Sequence, residues 1–383
     1  MNPTEPRPEG EPTPPRPEFE MELLTTKEEP PLVQAAPPLP VAAERPRYGF
    51  GVGVAFLWCL FFLLVAQIIP GVIGMIIYLV VSGELNQVVQ DNGVISARAL
   101  QVLMGVTHVA AIMAVVLILR WKAGPNWARK IALRLPDPRQ FVLVLLGLPA
   151  LLVVAHAVEQ VVRLIPSLAD LTGGTAPGVE AMIETTRTWP AWLAMLLIAG
   201  GPAIWEELFC RGFLGRGLTA RYGFVGGVLV TSLFFGLIHV EPPQAVMAAL
   251  LGVVIHTVYI LTRSLLLPML IHFLNNALVV LAISETTPVP FMKTLETSYE
   301  HAPFVFTLSA LVLVSAIGYA LYETRARLVP VVAGSPAWEP PCATVAVPPP
   351  ASRTVIAHGP PSPTTIILVV AAAALFGVAW YGV

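Results

Sequence analysis

The chain has 383 residues, of which 56% are hydrophobic and only 12% charged, with a formal net charge of −2. A soluble domain carries roughly 25% charged residues to cover its water-facing surface. This composition therefore excludes an ordinary soluble fold, and the absence of any basic stretch interleaved with aromatics speaks against nucleic acid as a partner. Cys59, Cys210 and Cys342 fall in separate segments with no CxxC, so neither a disulfide framework nor a structural zinc site is indicated.

Residues 1–47 are rich in Pro and Glu, without the apolar core of a cleavable signal peptide, and read as a disordered cytoplasmic tail. Apolar blocks follow near 48–81, 97–119, 140–165, 190–210, 223–240, 243–262, 264–284 and 303–322, each near the ~20 residues that cross a hydrocarbon core. The first is overlong and interrupted at Pro70-Gly71, so one span with a kinked or interfacial extension is expected. A Pro-rich stretch at 329–363 reads as a linker, and 364–383 as a last transmembrane helix. The predicted fold is all-α: a polytopic transmembrane helical bundle over 48–328 of about eight core spans, plus one tethered by the linker.

The connections alternate in charge. Arg45 and Arg47 precede the first block; Arg120, Lys122, Arg129, Lys130, Arg134 and Arg139 follow the second; Arg216 and Arg221 the fourth; Arg263 the sixth; Arg325 and Arg327 the eighth. The other connections carry Glu84 and Asp91, then Asp170, Glu180 and Glu184, then Glu241, then Glu285 and Glu296. Lys/Arg excess marks the cytoplasmic side. The pattern predicts a cytoplasmic N-terminus, nine crossings and an outward C-terminus, with the cell membrane as the expected location.

Ionisable groups inside spans are costly and default to functional candidates. They are His108, His156, Glu159, Arg163, Glu206, Glu207, Arg211, His239, His256 and His272. Glu159 and Arg163 are spaced for an ion pair on one helix. His108, His156 and His256 have no partner at helical spacing and read as packing residues, with His256 set apart only by lying near the rest.

In the fourth block Gly200-Gly201-Pro202 is expected to break the helix just before two adjacent carboxylates. Glu207 and Arg211 are i and i+4 and can pair, whereas Glu206 points about 100° away around the helix. The basic turn near Arg221-Tyr222 lies almost midway between Glu206 and His239, so an antiparallel hairpin sets those two at one depth. On the seventh block His272 and Asn276 share a face. His272 lies nine residues beyond Arg263, roughly 13 Å into the membrane, near the roughly 15 Å depth of Glu206.

Glu206-Glu207-x-x-x-Arg211, Phe235-x-x-x-His239 and His272-x-x-x-Asn276, in this order on successive spans, resemble the CAAX protease and bacteriocin-processing (CPBP, or Abi) family of intramembrane endopeptidases, over roughly 195–285. The resemblance implies that Glu206 and His239 activate water, that His272 and Asn276 stabilise the oxyanion, and that Glu207 and Arg211 support them. It implies a membrane-embedded peptide or protein substrate, lipidated in some relatives. No cofactor is favoured, because His-Glu-x-x-His is absent and Asn276 would have no role in a metal site; a divalent metal such as zinc on Glu206, His239 and His272 is the alternative. The rival classes are a proton- or ion-coupled transporter, against which no internal repeat is visible, and a non-catalytic scaffold for a membrane-bound partner.

Overall fold

The computed structural model describes residues 49–90, 95–163, 183–239, 242–283, 303–330 and 354–381. The expected N-terminal tail, Cys342 and the acidic residues Asp91, Asp170, Glu180, Glu241, Glu285 and Glu296 lie outside these residues.

Nine long helical segments carry the described chain. They are α1 (Val52–Ser82), α2 (Ala97–Ala123), α3 (Pro138–Arg163), α4 (191–222), α5 (224–237), α6 (Pro242–Thr262), α7 (Leu266–Ile283), α8 (Pro303–Glu323) and α9 (Pro363–Tyr381). The α4 and α5 segments run on as one helical stretch except at Gly223, whose φ of 75° is open to a residue without a Cβ and turns the chain back. The protein is thus an all-α, multi-pass membrane bundle, as the uninterrupted apolar blocks require.

Two expected interruptions are absent. Pro70 and Pro202 both lie inside continuous helix, and each is the second residue of an α-helical stretch that follows a π-helical one, Phe62–Ile68 and Met195–Gly200. A π turn shifts donors to the carbonyl five residues back, so the chain absorbs a residue that lacks an N–H and resists the standard turn. The helix changes register at Gly200-Gly201-Pro202 and does not break.

Two packed groups meet along α6 and α7. One core joins α1, α2, α4, α5 and α6 through Phe62, Phe209, Phe213, Leu218 and Phe235. The other joins α3, α6, α7, α8 and α9 through Val153, Ile255, Leu267, Phe306, Leu313 and Phe376. Aromatic stacking fastens each, Phe62 on Phe209 at 4.1 Å and Phe306 on Phe376 at 5.4 Å.

The basic connections gather at one end of the bundle. The Val52 amide donates to the Tyr222 hydroxyl (3.1 Å), Leu265 N–H to Ala132 O (2.9 Å), and Arg134 to Thr262 O (2.9 Å). The stretch read as a linker from 329 starts and ends in structure instead. Strand β1 (Ala326–Pro330) pairs antiparallel with β2 (Thr354–His358), Ala326 opposite His358. Gln140 of α3 donates to Thr324 O (2.8 Å) beside them, and the Glu323 carboxylate accepts the Ser362 amide (3.0 Å). Ser362 then caps α9 by accepting the Thr365 amide (3.2 Å), with Pro363 at the tolerated first helical position. No local sequence signal announces this pairing, because its strands are separated by more than twenty residues.

Candidate active site

Every polar residue of the three motifs is brought to one place. Glu206 and Glu207 sit where the short α-helical turn Gly201–Glu207 of α4 meets a second π-helical stretch, Leu208–Leu214. Arg211, fully buried, donates to Glu207 Oε1 at 2.7 Å; both side chains are 0% exposed, so the pair is sealed from water and from lipid headgroups. Its other nitrogen reaches Gly252 O of α6 at 3.4 Å, and its guanidinium lies 4.1 Å from the centre of the Phe235 ring.

His272 of α7 lies between the two carboxylates. Its Nδ1 is 2.9 Å from Glu207 Oε1, and its Nε2 is 3.9 Å from Glu206 Oε2. The Arg211-bound carboxylate carries no proton to give, so Nδ1–H is the donor. His239, at the end of α5, places Nε2 3.8 Å from the same Glu206 oxygen, and its Nδ1 is 2.7 Å from Phe235 O. A carbonyl cannot donate, so His239 also holds a proton on Nδ1 and turns Nε2 toward Glu206. Glu206 Oε2 is buried and has no hydrogen-bond partner among the described residues. One carboxylate is fixed by an arginine and a histidine; the other faces two imidazole nitrogens across a gap that no atom of the described residues fills with a hydrogen bond.

Asn276 lies one turn beyond His272 and donates through Nδ2 to Ile198 O (3.3 Å), while its Oδ1 accepts from Asn275 (3.2 Å). One N–H of its amide is therefore tied to α4, and the second remains for other work. Phe235, part of a motif but without an expected role, packs edge-on against both His239 (5.0 Å) and His272 (5.6 Å) and so fixes both rings.

The residues open onto a cavity of about 650 Å³. Its polar lining is Glu206, His239, Gln244, His272, Asn275 and Asn276; the remaining walls are apolar, with Leu151, Val154 and Val158 from α3 and Met247 and Leu251 from α6. Asn275 and Gln244 join the lining without any sequence pattern that marks them.

The other intramembrane polar residues stand apart. His156 is contacted by Gln160, four residues on, at 3.4 Å, which corrects its reading as a residue without a partner at helical spacing. The side chain of Arg163, expected to pair with Glu159, lies outside the described residues. His256 is buried against Gly215 with Nε2 3.5 Å from Thr219 Oγ1. His108 is not a simple packing residue either: it is 2.7 Å from Leu197 O and accepts from Trp205.

A zinc ion on Glu206, His239 and His272 would need donor atoms roughly 3.3 Å apart, the tetrahedral edge set by bonds of about 2.0–2.1 Å. The two carboxylate–imidazole separations of 3.8 and 3.9 Å are more open than that. No group of three or more His, Cys, Asp or Glu among the described residues has the arrangement of a metal site. As placed, the set does not fit zinc.

Comparison with known proteins agrees with the motif reading. Residues 187–278 match the family model described as Type II CAAX prenyl endopeptidase Rce1-like. The chain is also similar to the membrane-embedded CAAX protease MroQ of Staphylococcus aureus (strain USA300), 27% identical over 202 residues, covering 50% of this chain and 78% of that protein. No solved structure matches the chain.

The ion pair generates a test of its own. Arg211→Met strands the Glu207 charge in a dry interior and is expected to lower stability by about 3–5 kcal/mol. The double variant Arg211→Met, Glu207→Gln should recover much of that loss, since no unpaired charge remains. Thermal unfolding in detergent reads both; a double variant no more stable than Arg211→Met would show that the pair's charge is not what matters.

Proposed function

We propose that this membrane protein, whose core matches the CAAX protease family model, is an intramembrane endopeptidase in which Glu206 and His239 activate the attacking water. The observation that carries the reading is the unpartnered Glu206 oxygen facing His239 Nε2 at 3.8 Å and His272 Nε2 at 3.9 Å. Peptide hydrolysis needs a base for water, donors for the developing oxyanion and an acid for the leaving amine.

Water in the gap donates to Glu206, which takes its proton as the oxygen attacks the carbonyl carbon. The Nε2 of neutral His239 accepts the water's other hydrogen bond, then takes from Glu206 the proton that Glu206 gained and delivers it to the departing amine as the C–N bond breaks, returning Glu206 to a carboxylate. His272, with Nδ1–H already given to Glu207, can donate to the oxyanion through Nε2 only as an imidazolium. In that form it would offset the net negative charge that two carboxylates and one guanidinium carry in a low-dielectric site. The free N–H of Asn276 supplies the second donor. The apolar walls of the cavity suit a substrate presented from the bilayer, and relatives named for prenylated CAAX termini make a lipidated peptide the first to try.

Purified protein and a fluorogenic peptide with a farnesylated CAAX-type C-terminus, alongside its unlipidated form, provide the assay. Glu206→Gln should lower turnover by roughly 10²–10⁴-fold without changing the thermal unfolding profile. Retention of most of the wild-type rate would remove Glu206 as the base.

The catalysis is proposed to need no metal. Elemental analysis of active, chelator-treated protein should then find substoichiometric zinc and undiminished turnover. Zinc in a one-to-one ratio, whose removal and return switch activity off and on, would overturn the metal-free step and leave the site where it is.

The basic end of the bundle is proposed to face the cytoplasm of a cell membrane, with nine crossings. A cysteine introduced at Arg129 should react only with permeant reagents in intact cells, and one at Glu184 also with impermeant ones. The reverse pattern would invert the orientation.

A further inference from the structure

We propose that His108 is a positioning residue for Glu206, holding the helical register that sets this carboxylate opposite the two histidines; the proposal rests on reading Glu206 as the water-activating base. The argument begins with Pro202. In the π-helical stretch the Gly201 amide donates five residues back, to Leu196 O. The Leu197 carbonyl therefore loses its partner four residues on. Its partner five residues on is Pro202, which has no N–H. Within hydrocarbon such a carbonyl has no water to turn to.

His108 supplies the missing donor from α2. Its Nε2 lies 2.7 Å from Leu197 O, and because a carbonyl holds no proton, Nε2–H is the donor. Nδ1 is then bare, and it accepts the Trp205 indole N–H at 3.2 Å. The ring occupies the space where a Cβ on residue 201 would sit, 2.5 Å from such an atom, so only glycine admits it there. One imidazole thus bonds to both sides of the register change. Its far bond is to the residue immediately before Glu206.

The consequence is geometric. A π turn acts as one extra residue in the helix, worth about 100° of rotation for everything beyond it. Without His108, the Leu197 carbonyl regains a partner if the Gly201 amide returns to it in α-helical register. That change turns Glu206 about 100° relative to the preceding turn and away from His239 and His272. Asn276 braces the neighbouring Ile198 carbonyl from α7, so the register is held from two sides.

The test compares His108→Leu, which fills the site without polar atoms, with His108→Gln, which can still donate and accept. Full-length protein is studied by hydrogen–deuterium exchange and by the peptide assay above. For His108→Leu, exchange in peptides spanning 196–206 should rise about tenfold while 224–237 stays unchanged. Its kcat should fall by roughly tenfold to a hundredfold at constant KM. Gln should restore both to within about threefold of wild type, since its amide keeps both hydrogen bonds. Wild-type exchange and turnover in His108→Leu would overturn the proposal, as would a Gln variant as impaired as Leu. If His108→Leu fails to fold, Trp205→Phe removes the far bond alone; it should shift exchange and kcat the same way by less, and no shift overturns the proposal. If the wild-type protein cleaves neither peptide, the reading of Glu206 as a base falls separately, and the exchange comparison still decides whether His108 holds the register.

Discussion

The buried pair of Arg211 and Glu207 is the interaction on which the rest of the site depends. Both side chains are wholly sealed, so neither charge can be left alone without a large penalty. Glu207 is committed to Arg211 and to His272 Nδ1, and so orients the imidazole. Because Arg211 also reaches Gly252 and covers Phe235, the same charge ties α4 to α5 and α6. The adjacent Glu206, offset around the helix, is left with an Oε2 that has no hydrogen-bond partner among the described residues. Two neighbouring residues of one type acquire different surroundings from their direction alone.

Glycine and proline set up the helix that carries these groups, though not by breaking it. Pro70 and Pro202 each follow a π-helical stretch, so the chain uses one device twice. At Pro202 the device has a further cost, the Leu197 carbonyl at membrane depth, which needs a donor from elsewhere. His108 meets that need from α2, and Asn276 adds a bond from α7 to the neighbouring Ile198 carbonyl. Polar residues in a span can therefore serve the backbone of another helix, as Asn276 does through one N–H of its amide.

The site also lies where two packed groups of helices meet. The α6 and α7 helices join both, and the cavity between α3, α6 and the motif residues is the space the two groups leave unfilled. A site at such a seam can have a polar floor fixed by one group and apolar walls contributed by the other. This explains how charged residues persist in a bundle otherwise packed for hydrocarbon.

Sequence alone determined where the spans lie, because an uninterrupted apolar run of about twenty residues has few other stable fates. It also determined the Glu207–Arg211 pair, since residues four apart on one helix meet whatever else the chain does. Counting from the basic turn placed Glu206 and His239 at one depth, which the 3.8 Å contact bears out. Spacing along a helix gives height, however, and not rotation about the helix axis. Only the packed bundle decided that His272 lies between the carboxylates, that Phe235 holds both imidazoles, and that His108 reaches Leu197. The π-helical register was equally illegible, because its cost is met by donors on other helices. The pairing of Ala326–Pro330 with Thr354–His358 was hidden for the same reason: its partners are distant in the chain, and only the closeness of α8 and α9 brings them together.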